Sequence, residues 1–204
     1  MKNNINELPL IELFIDEEES DNGIQAISLV ESPAIEENFV ALSKHKVEFK
    51  AIDEDKRIII GLALVPDKPI YRRKGDYEYN ITFSKETVRK GAEMYLKSLR
   101  NNNTTLEHQQ LTSGVSIIES WIVEDTEKDK TALYNLNAKK GAWAVVMKID
   151  NEEVWKDVKE KKYLGLSIEG VFSQSKESMS KDKDLTDDEL IDKIIEIIKQ
   201  KQTN

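Results

Sequence analysis

Leu164-Gly165-Leu166-Ser167-Ile168-Glu169-Gly170-Val171-Phe172 alternates apolar residues with small or polar ones, the period of a β-strand. Period two puts Leu164, Leu166, Ile168 and Phe172 on one face, and Gly165, Ser167 and Glu169 on the other. The apolar face is the core face, so Ser167 is expected to point away from the core. Gly165 precedes the serine on its own side and leaves room for a close approach by a ligand. The pattern Gly-x-Ser-x-x-Gly is not the nucleophile elbow Gly-x-Ser-x-Gly, and no helix follows it. By itself it also fits a structural serine.

Reading outward, strand signals dominate. Two short apolar runs, residues 11–15 and 24–30, flank an acidic turn, and Pro33 ends the second, since proline cannot continue a ladder. Residues 34–45 read as loop. Val47, Phe49 and Ala51 alternate with polar residues, residues 57–65 form a near-continuous β-branched run, and Pro66 and Pro69 break it. Residues 77–83 alternate again. Ser84 is placed to cap a helix running to about Arg100, with Val88, Ala92, Tyr95, Leu96 and Leu99 as its stripe. Further strands are expected at 104–111, 115–124, 132–137, 141–150 and 163–172, with a short helix at 151–161 that buries Val154, Trp155 and Val158. Many strands with two inserted helices predict an α+β fold: a mixed, mainly antiparallel β-barrel surrounded by helices, spanning residues 1–172.

Residues 173–184 are rich in Ser, Lys and Asp and read as a flexible linker. Residues 185–204 then predict an amphipathic helical tail. Thr186 and Glu189 have capping-box spacing, Leu185 and Leu190 can form a hydrophobic staple, and Leu190, Ile191, Ile194, Ile195 and Ile198 line one side. Such a stripe docks on its own domain, self-associates or binds a partner helix.

The 204 residues are 39% hydrophobic and 34% charged, with a formal net charge of −9. That charge argues against a nucleic-acid surface, which needs clustered Lys and Arg. With no cysteine in the chain, disulfides, thiolate zinc sites and a cysteine nucleophile are excluded. The start carries no secretion-signal pattern, and no run approaches the roughly 18 apolar residues of a membrane span. A soluble intracellular protein is therefore expected.

Only two histidines exist. His45 sits in Lys44-His45-Lys46 and reads as a solvated surface residue. His108 sits in Leu106-Glu107-His108-Gln109, where the pattern predicts a strand with His108 on the side of Leu106. A strand histidine is either structural or catalytic. Glu119 shares its predicted face with Val115, Ile117, Trp121 and Val123, so it needs a partner there. That partner is a cation, a backbone donor, or His108 if the loop at 112–114 has even length. Glu169 is a rival because it shares the face of Ser167, whereas Glu107 faces away from His108. A serine hydroxyl becomes a nucleophile when an imidazole takes its proton, and the imidazole works better when a third group fixes its tautomer. Ser167, His108 and Glu119, with Glu169 or water as alternatives to Glu119, can supply those parts. Acyl transfer of this kind needs no metal and no cofactor.

Four stretches, in this order and spacing, resemble the serine proteases of phages and prophages, the prohead maturation proteases, which are distantly similar to herpesvirus assemblins. They are Ala26-Ile27-Ser28-Leu29-Val30-Glu31-Ser32-Pro33-Ala34-Ile35; Ala63-Leu64-Val65-Pro66-Asp67-Lys68-Pro69-Ile70-Tyr71-Arg72; the segment from Leu106-Glu107-His108 to Ile118-Glu119-Ser120-Trp121; and Gly165-Leu166-Ser167-Ile168-Glu169-Gly170-Val171-Phe172. The resemblance implies a small β-barrel wrapped by helices, with His108 as catalytic histidine and Ser167 as nucleophile. It also implies cleavage of phage scaffold and major capsid protein segments inside an assembling prohead, in the bacterial cytoplasm. Assemblins place a second histidine after the serine; no histidine follows His108 here, so an acidic residue or water takes that role. The tail helix would dock on scaffold, self-associate or act as a propeptide. A competing reading is a non-catalytic capsid-assembly or scaffold-associated module; another is a helix-binding module acting through the tail.

Overall fold

Seven consecutive residues, Trp143–Ile149, are buried except for Lys148, as expected for a strand covered on both faces. The computed structural model describes residues 8–19, 21–31, 50–53 and 56–174. His45, Pro33, the whole 34–49 segment and the tail helix expected at 185–204 lie outside the described residues. Ser173 and Gln174, the first two residues of the expected linker, pair with a strand near the start of the chain; the rest of that segment also lies outside them.

Twelve strands and three α-helices are described. The strands are β1 (Leu10–Phe14), β2 (Gly23–Val30), β3 (Lys50–Asp53), β4 (Ile58–Leu64), β5 (Ile70–Lys74), β6 (Tyr77–Phe83), β7 (Thr104–Leu106), β8 (Gln110–Thr112), β9 (Val115–Ile122), β10 (Trp143–Ile149), β11 (Gly165–Val171) and β12 (Ser173–Gln174). They form three four-stranded sheets, ordered β12-β1-β6-β5, β3-β4-β10-β9 and β11-β2-β7-β8. Only β1–β6 and β2–β7 pair parallel; the other pairs are antiparallel. The α+β character and the mainly antiparallel pairing agree with the sequence, but the described strands form no closed barrel. Closure depends on which edges meet, and local alternation carries no information about that.

Helix α1 (Lys85–Lys97) starts where Ser84 Oγ accepts from Thr87 N, and it buries Val88, Gly91, Ala92 and Tyr95. It ends earlier than its apolar stripe suggests, leaving Leu99 exposed in a left-handed conformation. Gly91 lets it approach β2, since a Cβ there would meet Ile24 Cδ1 at 2.8 Å. Helix α3 (Glu152–Lys159), capped by Asn151, buries Val154, Trp155 and Val158 as expected. The strand expected at 132–137 is instead α2 (Lys130–Leu133) followed by a turn. The Asp129 carboxylate accepts from Thr131 N and its hydroxyl at 2.8 Å, and this cap outweighs the β-leaning run. A strand not expected, β5, begins directly after Pro69 and pairs with β6 across a turn at Gly75 (φ 63).

One core joins all three sheets. Trp143 and Tyr95, both fully buried, meet edge to face at 5.4 Å, and Phe83 meets Phe172 at 5.0 Å. Each large apolar side chain buried this way contributes about 1.5–3 kcal/mol. Strand β11 closes on β2 through a bulge after Glu169, where a Cβ on Gly170 would collide with the backbone oxygen of Gly23. Backbone cannot move aside as a side-chain tip can. Gly170→Ala should therefore cost about 1–3 kcal/mol, read as a lower urea midpoint with an unchanged slope.

Candidate active site

Strand β11 places Ser167 directly opposite Ser28 of β2, and β2 in turn sets Ser28 beside Thr105 of β7. Paired positions in a sheet share a face, so Ser167, Ser28 and Thr105 form one polar row across three strands. On the other face Leu166, Leu29 and Leu106 form the matching apolar row. Ser167 thus stands on the face the sequence assigned to it, away from the apolar row. It is nevertheless only 2% exposed, and Ser28 is 0% exposed. Ser167 Oγ has no hydrogen-bond partner among the described residues.

His108 is not in a strand. The expected strand at 104–111 breaks into the hairpin β7–β8, and His108 lies in its turn, closed by Gln109 N donating to Leu106 O at 3.0 Å. Glu107 and His108 both have positive φ, 51° and 57°. A tight hairpin turn with two left-handed central residues normally takes Asn, Asp or Gly there. Two ordinary side chains in that region cost of order 1–3 kcal/mol each and persist only where the surroundings hold them. Here the holding groups come from β2 and the residue after it. Glu107 N donates to Leu29 O at 3.0 Å, Glu31 N donates to Glu107 Oε1 at 2.6 Å, and His108 N donates to Ser28 Oγ at 3.0 Å.

The turn brings His108 to a carboxylate. His108 Nδ1 lies 3.2 Å from Glu169 Oε1, and Thr105 Oγ1 donates to that same oxygen. Glu169 is two residues from Ser167 on the same strand face. A carboxylate at Nδ1 selects the tautomer with Nδ1 protonated and leaves Nε2 as the basic nitrogen. Nε2 has no partner among the described residues.

Glu119 is elsewhere. It lies on β9 in the β3-β4-β10-β9 sheet, opposite Val146, and both of its oxygens accept from Lys130 Nζ at 2.7–2.8 Å. The expected pairing of His108 and Glu119 assumed a hairpin around 112–114. The chain instead crosses from one sheet to another at Gly114 (φ 74), whose carbonyl accepts from Asp150 N and Asn151 N. The loop parity is therefore immaterial, and the carboxylate beside His108 is Glu169. Ser28 and Thr105 went unnoticed in sequence. The available signal was a small hydroxyl residue on a strand position flanked by buried apolar neighbours.

A cavity of about 190 Å³ borders Ser167. Its walls are apolar, from Leu64, Ile70, Phe83, Ile168 and Phe172, with Arg72 as the one charged group lining it. Burial holds the Arg72 guanidinium below its ordinary pKa, and Arg72 Nη1 donates to Tyr71 O at 2.9 Å. Among the described residues, no group of three or more His, Asp or Glu side chains is placed to hold a metal ion.

The family model described as "Putative phage serine protease XkdF" matches residues 46–176, more than half of the chain. The matched segment contains Thr105, His108, Ser167 and Glu169 but not Ser28. No curated protein and no solved structure matches the chain.

The two glutamates separate by a simple comparison. Glu119→Ala removes an exposed ion pair and should cost under about 1 kcal/mol, with the ¹⁵N resonances of the His108 ring unmoved. Glu169→Ala should move those resonances, because it removes the group facing Nδ1.

Proposed function

Because this chain belongs to the phage serine protease family matched by its residues 46–176, we propose that it is a serine endopeptidase with Ser167 as nucleophile and His108 as general base. Glu169 takes the third role in place of Glu119. The observation that carries the reading is that Glu169, two residues from Ser167 on the same face of β11, faces His108 Nδ1 at 3.2 Å.

The chemistry follows from those groups. Ser167 Oγ attacks the scissile carbonyl while His108 Nε2 takes its proton, and Glu169 stabilises the imidazolium that forms. The tetrahedral species collapses, the carbon–nitrogen bond breaks, and His108 returns the proton to the leaving amine. Water then attacks the acyl-enzyme with His108 again as base, which regenerates the serine and releases the acid. In this reading the hydrogen bond between Ser167 Oγ and His108 Nε2 forms when substrate completes the site.

The finer part of the proposal is the biological role. The four stretches that resemble prohead maturation proteases support cleavage of phage scaffold and major capsid protein segments, within the assembling prohead in the host cytoplasm.

The test is to incubate wild type, Ser167→Ala, His108→Ala and Glu169→Ala with the co-encoded scaffold and capsid proteins and read intact masses. The first two variants should lose about 10⁴-fold or more in rate, and Glu169→Ala a comparable or smaller factor. Equal cleavage by all four would exclude the serine-protease reading.

A further inference from the structure

The turn that carries His108 is anchored from outside itself as well as by its own closing bond. It places two non-glycine residues at positive φ in succession, and neither Glu nor His is a residue such a turn selects. Its three anchoring bonds run to Ser28 Oγ, Leu29 O and Glu31 N. Two of these involve backbone groups. Ser28 Oγ is the only side chain of β2 among them, and it bonds the residue that bears the imidazole.

The position of Ser28 is as telling as its bond. It is 0% exposed, sits directly opposite Ser167 and lies beside Thr105, the residue that donates to Glu169. Ser28 Oγ lies 3.3 Å from Thr105 O and 3.4 Å from Leu29 O, so its own proton has an acceptor while its lone pairs face His108 N. One hydroxyl therefore touches the turn of the base and stands next to the nucleophile and to the strand that orients the carboxylate. An alanine there would leave the strand pairing intact but remove the acceptor for His108 N–H.

Resting on the serine-protease reading above, we infer that Ser28 is a positioning residue: its hydroxyl fixes the His108 turn so that the imidazole stands against Glu169, two residues from Ser167 on the same strand face. The inference extends the site into β2, which lies outside the family-matched segment 46–176. Ser28 acts through His108 and does not touch substrate.

The experiment uses the full-length protein and a fluorophosphonate probe, with intact mass and peptide mapping to read covalent labelling of Ser167. Wild type, Ser28→Ala, Ser28→Cys and Ser28→Thr are compared, alongside amide hydrogen exchange of each. Ser28→Ala should slow labelling about 10- to 100-fold, the scale expected when a catalytic group shifts by about an ångström. Ser28→Cys, which keeps the volume but accepts hydrogen bonds weakly, should also be slow. Ser28→Thr should restore most of the rate. His108 N–H should exchange faster in the alanine variant while the β2–β11 ladder stays protected, which separates loss of the turn from loss of the fold. Labelling of Ser28→Ala at the wild-type rate, with unchanged His108 protection, would overturn the inference. Failure of wild type to label at Ser167 would sink the protease reading instead, and the exchange data would still decide whether Ser28 holds the turn.

Discussion

Strand β2 pairs with β11 on one side and with β7 on the other, and the candidate site depends on that double pairing. The antiparallel register on one side sets Ser167 against Ser28. The parallel register on the other sets Ser28 against Thr105, and the hairpin after β7 delivers His108. A slip of one residue on either side would turn every side chain of that strand to the opposite face, exchanging the row of hydroxyls for the row of leucines. Burial prevents the slip, because Leu166 and Leu29 are 1% and 0% exposed on the core face. The packing of the core thus fixes the geometry of the polar face.

That arrangement explains why the hairpin turn tolerates strain. Backbone held in a sparsely populated region needs bonds that over-determine it, and β2 together with Glu31 supplies three. The cost falls on the turn that presents His108 to Glu169. Thr105 and Glu169 then complete a short chain of polar contacts from β7 to β11, so that the imidazole, the carboxylate and the serine are all referenced to one central strand.

Much of the fold could be read from residues. Strands β4, β10 and β11 declared themselves by near-continuous or alternating apolar runs, α1 by its Ser84 cap, and α3 by the spacing of Val154, Trp155 and Val158. The hairpin at Glu107-His108 could not be read, because neither residue carries turn chemistry and the bonds that stabilise it come from a strand about 80 residues away. The α2 helix was hidden by a β-leaning composition that a single aspartate cap overrides. Barrel closure was inferred from strand number and from the family resemblance, and is not found among the described strands. In the candidate site, Ser167 falls on the strand face expected of it, whereas His108, expected in a strand, lies in a turn. The choice between Glu119 and Glu169 was not, because it depended on a supposed hairpin whose two arms belong to different sheets.

The central claim is that Ser167 is the nucleophile and that His108, oriented by Glu169, is its base. The most direct measurement is a crystal structure of the protein treated with a peptidyl phosphonate. The account predicts phosphorus bonded to Ser167 Oγ, His108 Nε2 within hydrogen-bonding distance of the adduct and Nδ1 on Glu169. An adduct on another residue, or a Ser167 adduct with His108 turned away from it, would contradict the account.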